Sequence, residues 1–196
     1  GIVLINDYSE IGCGSTIDRG SISNTIIGKN TYLDNQIHIA HNVKIGDNCI
    51  IGCGVIINNS IIGKRVVIQD NCKIGQKGFG FIPFKNKNFK IPHIGKVQIN
   101  NDVEISSGCT IDRGSVDDTV IGNNTYLDNQ IHIAHNVKIG ANSIIAGQVG
   151  IAGSSIIGNN VKIGGGSGVI KDIESNSIVM GYPAVNFKEF IKNWRK

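Results

Sequence analysis

Two histidines three residues apart, His132 and His135, are the polar residues with the most chemistry to offer, and the chain carries them twice. His38 and His41 repeat them in nearly the same local sequence. An imidazole at a surface corner admits three roles. It can be a solvated corner residue, a general base exchanging protons near neutral pH, or a metal ligand shared across an interface between copies. No third histidine or cysteine ligand lies nearby in sequence, so no metal site is expected and no cofactor is implied.

Other nucleophiles are poorly supported. No Ser-His-Asp arrangement can be argued. Cys49, Cys72 and Cys109 recur at a slot that points into the core, whereas Cys13 and Cys53 fall near corners facing solvent. Five cysteines cannot all pair, and no CxxC is present, so a reducing cytoplasm is expected. Gly164-Gly165-Gly166 lacks the GK[ST] that a phosphate loop requires. A net charge of +4 gives no nucleic-acid stripe. No apolar run approaches the roughly 18 residues of a membrane span, and no signal peptide opens the chain.

What must position the histidines is a repeat. An aliphatic residue followed by a small or polar one recurs every six residues, as in Leu127-Asp128, Ile133-Ala134, Ile139-Gly140, Ile145-Ala146, Ile151-Ala152 and Ile157-Gly158. Four positions after each aliphatic residue stands a small or β-branched one: Val43, Cys49, Val137, Ser143, Val149, Val161. A period of six fits neither a helix nor a long strand. It fits a short strand and a tight corner, three of which close a triangular coil of about 18 residues. Asn and Gly at the corners tolerate the left-handed backbone that tight turns need. The predicted fold is all-β, a left-handed parallel β-helix of hexapeptide repeats spanning residues 1–182.

A longer repeat lies on top. Thr16–Asn48 and Thr110–Asn142 differ at only six positions. The pair reads as a recent duplication or an engineered graft, of which only one copy need be functional. Stacking distinguishes the copies: one regular coil beyond His135 lies Gly153, whereas the same step from His41 reaches Asn59. A histidine above an exposed glycine amide places a base beside an oxyanion donor. The second copy is therefore the better site.

The rhythm breaks at residues 76–93, where four phenylalanines, four lysines and two of the three prolines cluster. This predicts a projecting loop whose aromatics pack on something. Residues 183–196 predict a short amphipathic helix that caps the open end of the stack.

Several stretches together resemble the UDP-3-O-acylglucosamine N-acyltransferases of bacterial lipid A synthesis. They are Gly78-Phe79-Gly80-Phe81, Ile91-Pro92-His93-Ile94-Gly95, Thr110-Ile111-Asp112-Arg113-Gly114, Asp128-Asn129-Gln130, Ala134-His135-Asn136-Val137 and Ala146-Gly147-Gln148-Val149. The resemblance runs from about Lys73 to Tyr182. It implies a cytoplasmic homotrimer with sites in grooves between neighbours, transferring a 3-hydroxyacyl chain from acyl-carrier protein to the amine of a UDP-sugar lipid precursor. It makes His135 the catalytic base, Gly153 the oxyanion donor and Asp128 a residue that orients the base. Phe79, Phe81, Gln148 and His132 become the candidate substrate-binding residues, and small residues such as Ala146, Gly147, Gly150 and Ala152 leave room for an acyl groove. The chain departs from the family in lacking its uridine-binding domain, in carrying Lys77 where Asp is usual, and in a coil missing near Gly165–Ser167. The alternative is a rearranged, inactive β-helix trimer with a structural role.

Overall fold

A computed structural model describes residues 1–194. Pairs and triplets of β-residues alternate with two-residue turns, and successive coils stack into three sheets of eight, ten and eight strands. All pairings between coils are parallel. The result is the left-handed β-helix that the six-residue rhythm predicts.

The alternating residues divide as the repeat requires. Ile111, Ile133, Ile151 and their equivalents point inward and are fully or almost fully buried, as are the following-slot residues Cys49, Cys72, Cys109, Val137 and Val161. Their outward neighbours Thr110, His132 and Gly150 form a row on one face, in register from coil to coil. Positive φ values at Asn48, Asn124, Asn142 and Asn160 mark the corners. There, amides of neighbouring coils ladder through hydrogen bonds such as Asn124 Nδ2 to Asn142 Oδ1 at 2.9 Å. Burial pushes the Cys49 thiol above its ordinary pKa, which makes it an inert packing group.

The coil is not uniform in length. Ile133 sits on Ile151, one regular coil later, but Ile111 sits on Ile133 across a longer coil. The extra residues bulge outward at Gly114–Asp118 and, in the first copy, at Gly20–Asn24, leaving Val116 and Ile22 exposed. Near Gly165–Ser167 the stack is continuous: Gly150 pairs with Gly168 and Ile151 with Val169.

The segment predicted to be a loop is a two-stranded antiparallel hairpin, Phe81–Phe84 with Lys87–Lys90. Its aromatics pack mainly on each other. Phe79 meets Phe81 edge-on at 4.9 Å, and Phe84 meets Phe89 at 6.2 Å. Only the base of the segment is buried against the stack, through Gly78, Gly80 and His93.

After Ile178–Met180 the chain turns back, pairs Val185–Asn186 antiparallel with that strand, and enters the helix Phe187–Trp194. The helix thus begins four residues later than the 183–196 segment assigned to it, and the last two residues of that segment lie outside the described residues. The Tyr182 ring covers Gly168, where any Cβ would overlap it.

Candidate active site

His135 sits at a corner between two sheets, half-buried. Its ring is held from three sides. Nδ1 lies 2.9 Å from Asn136 Oδ1. The same oxygen accepts from Ser115 N and Ser115 Oγ, so it is an acceptor and His135 Nδ1 carries the hydrogen. This leaves Nε2 with its lone pair free. On the second side His93 meets the ring edge-on, centroids 5.0 Å apart. The third side is Gly153: a Cβ built there would stand 3.0 Å from both Nε2 and Cε1. Gly153 has no positive φ, so it is the imidazole's close approach that calls for glycine here. Gly78 is wedged likewise, where a Cβ would stand 2.9 Å from His135 Cβ and from His93 Nε2.

The stacking of His135 on Gly153 is thus present in space. At other corners the amide of the matching residue is donated to an Asp or Asn side chain of a neighbouring coil, as with Cys53, Ser107 and Gly147. Among the described residues the Gly153 amide has no such partner, and the residue is exposed.

A groove of about 330 Å³ runs along this corner, lined by Phe79, Asp112, His132, His135, Gly150 and Gly153 among others. His132 faces it, with Nδ1 2.8 Å from Thr110 Oγ1 and Nε2 4.0 Å from Asp112 Oδ2. Asp112 is nearly buried. Desolvation raises its pKa above the ordinary carboxylate value, against the pull of His132, His135 and His93. His93 is buried too, and desolvation, reinforced by His135, lowers its pKa. Sequence reasoning gave no role to Asp112, His93 or Asn136. All three had a signal, since each lies inside a motif of the resemblance.

Three expected members are elsewhere. Asp128 stands at the next corner of the same coil, bonded to the Asn129 and Gly147 amides, and does not orient His135 within one chain. Asn136, adjacent in sequence, does so instead. Gln148 is at that same next corner, bonded to Gln130. Phe79 lines the groove, whereas Phe81 is at the hairpin base. Of the small residues, Gly150 and Ala152 line the groove, but Ala146 and Gly147 belong to the Asp128 corner. Among the described residues, no group of three or more His, Cys, Asp or Glu is placed to hold a metal ion.

The first copy builds a different arrangement from the same residues. His41 Nδ1 contacts the Arg19 carbonyl at 2.9 Å and Nε2 lies 3.7 Å from Asp18. Its ring is exposed. The coil beyond it is one residue short between Ile57 and Ile62, at the corner next to His41. Ile56 occupies the position that Gly150 holds beside His132.

Residues 24–59 and 118–153 match the bacterial transferase hexapeptide family (six repeats). The chain carries the bacterial transferase hexapeptide repeat. The resemblance in the motifs is borne out as well. The chain is 50% identical over 101 residues, 52% of its length, to a UDP-3-O-acylglucosamine N-acyltransferase of Rhodopseudomonas palustris. It is 42% identical over 149 residues, 67% of its length, to one of Rickettsia akari. The chain spans 28% of the first relative and 43% of the second. Among solved structures, the UDP-N-acetylglucosamine O-acyltransferase of Moraxella catarrhalis aligns with 98% of the chain and 76% of its own, at 25% identity and a TM-score of 0.54. The UDP-N-acetylglucosamine acyltransferase of Francisella novicida also aligns with 98% of the chain and 69% of its own; at 22% identity and a TM-score of 0.75 it speaks for the fold alone. Among the described residues, no helix is long and apolar enough to cross a membrane.

Proposed function

We propose that the chain is an N-acyltransferase of lipid A synthesis. It would move a 3-hydroxyacyl group from acyl-carrier protein to the 2-amino group of UDP-3-O-acylglucosamine, as part of a cytoplasmic homotrimer. The observation that carries this reading is the free Nε2 of His135 packed against Gly153, a residue whose amide has no partner, in an open groove. Nε2 takes a proton from the amine as its nitrogen attacks the thioester carbonyl. The Gly153 amide donates to the oxygen that gains charge. The tetrahedral intermediate then collapses, the C–S bond breaks, and the imidazolium returns its proton to the leaving thiolate. Asn136 holds the tautomer that leaves Nε2 basic. His132, Phe79 and Gly150 line the space that would receive the acceptor and its chain.

Incubating the purified chain with acyl-carrier-protein thioester and the amino-sugar nucleotide, and following the acylated product by mass, tests the proposal. Appearance of the amide product supports it. A folded protein that yields none under saturating substrates would leave the structural, inactive β-helix as the better reading.

A further inference from the structure

A second cavity, of about 310 Å³, is lined by His93, whose ring meets His135 edge-on, and by Lys77, Lys90 and Arg113, with Ile91 and Pro92 among its walls. Its charge is unbalanced. Between Asp70 and Asp102 the chain holds six lysines and no acidic residue, while the rest of the chain has two more acidic than basic residues. Among the described residues, Arg113, Lys77 and Lys90 make no ion pair, and the Arg113 Nε is buried without a hydrogen-bond partner. His93 is 3% exposed, and neither of its ring nitrogens makes a well-formed hydrogen bond, its one polar approach being to the Ile91 backbone.

A partly buried guanidinium with no counter-charge is costly, because desolvation is not offset by any attraction. Desolvation lowers the Arg113 pKa, with no carboxylate among the causes to oppose it. Asp112, the adjacent residue on the same strand, does not relieve this charge: it faces the other cavity, with the three histidines. The resemblance expects Asp at position 77, which would supply a protein carboxylate in this cavity. Lys77 adds a third cation instead.

We propose that this cavity binds a phosphoryl anion. Three cations with no acid suit a multiply charged group better than a single carboxylate. Arg presents a planar fork to two oxygens, and the lysines act as mobile point charges. A volume of this size admits the phosphoryl group with part of whatever carries it, whether a diphosphate bridge or a single phosphate ester. The first copy supplies an internal control. Arg19, the twin of Arg113, is exposed, and neither the hairpin lysines nor a His93 equivalent accompanies it. The inference does not rest on the acyl-transfer reading.

Isothermal titration of the full chain at low salt with inorganic phosphate, pyrophosphate and uridine diphosphate tests it. One saturable site per chain is expected, weakened about 10–100-fold by Arg113→Gln and unchanged by Arg19→Gln. Lys77→Asp, on an exposed residue, should abolish binding by placing a carboxylate in the cavity. Thermal melts of each variant verify folding. Equal affinity for pyrophosphate and uridine diphosphate assigns recognition to the diphosphate, whereas phosphate matching both assigns it to a single phosphoryl group; either supports the site. No saturable binding up to about 10 mM, or binding that survives Arg113→Gln undiminished, overturns it.

Discussion

His135 and His41 show how far a residue's surroundings can separate two nearly identical sequences. Both imidazoles have Nδ1 bonded to an oxygen, yet only His135 packs its ring against a glycine in a groove. A missing base costs about 10²–10⁴-fold in a proton-transfer step. His135→Ala should therefore lower kcat by that much in a steady-state assay, and His41→Ala should leave it within a few-fold. Equal losses would mean that the first copy has its own working site. Asp112 gives a pH-dependent counterpart. Its folded pKa is raised, chiefly by desolvation, so the native state binds its proton more tightly than the unfolded chain does. Its contribution to stability is complete below the unfolded value of about 3.9 and is lost as pH rises through the folded value. Asp112→Asn, neutral at every pH, should melt higher than the parent at pH 7. That advantage should vanish near pH 3.5 if burial of the charge is the cause.

Among the elements, the corner carries the chemistry and the strand carries the fold. Gly153 and Gly150 lie in the same coil of the groove, but a Cβ at Gly150 meets nothing within 4 Å, whereas one at Gly153 meets the His135 ring at 3.0 Å. Gly150→Ala should leave the His135 geometry alone. Gly153→Ala should push the ring aside by a few tenths of an ångström, lowering kcat about tenfold or more with little change in melting temperature. Equal kcat values for the two variants would separate the ring's position from its function. The strands were legible because long runs of inward Ile and Val, such as Ile133 to Ile163, keep one period, and so was the stacking of His135 on Gly153, because their coil has the regular length. The longer coils were not legible: their extra residues bulge outside the core and leave the inward sequence pattern intact. That Asp128 stands apart from His135 within one chain has a related reason. Seven residues in sequence take the chain past a corner onto another face, whereas Asn136, adjacent to His135, reaches its ring directly.

At the scale of the whole molecule, one face of the prism is poorly suited to water. In the ten-stranded sheet Tyr32 and Ile50 stand side by side on the outer surface, as do Tyr126 and Ile144, each 41–50% exposed. Rows of this kind mark surfaces meant to be covered. Tyr126 and Ile144 also line a cleft with Asp128 and Ala146, at the very corner that one chain holds away from His135. Covering this face with a neighbouring copy would bury the row and give the His135 groove a second wall, and it is the only way for Asp128 or Gln148 to approach that histidine. A threefold closed ring satisfies each copy in the same manner and leaves no free face. Light scattering at micromolar concentration should therefore give three times the 20.9 kDa chain mass. Tyr126→Glu with Ile144→Glu should yield the single chain mass, since two charges would be buried without partners in the interface. Both residues point outward, so the coil beneath them should keep its β-sheet circular dichroism. Under the shared-site reading this folded monomer should lose acyl transfer although His135, Asn136 and Gly153 are untouched. A monomer that retained full activity would show that one chain makes the whole site.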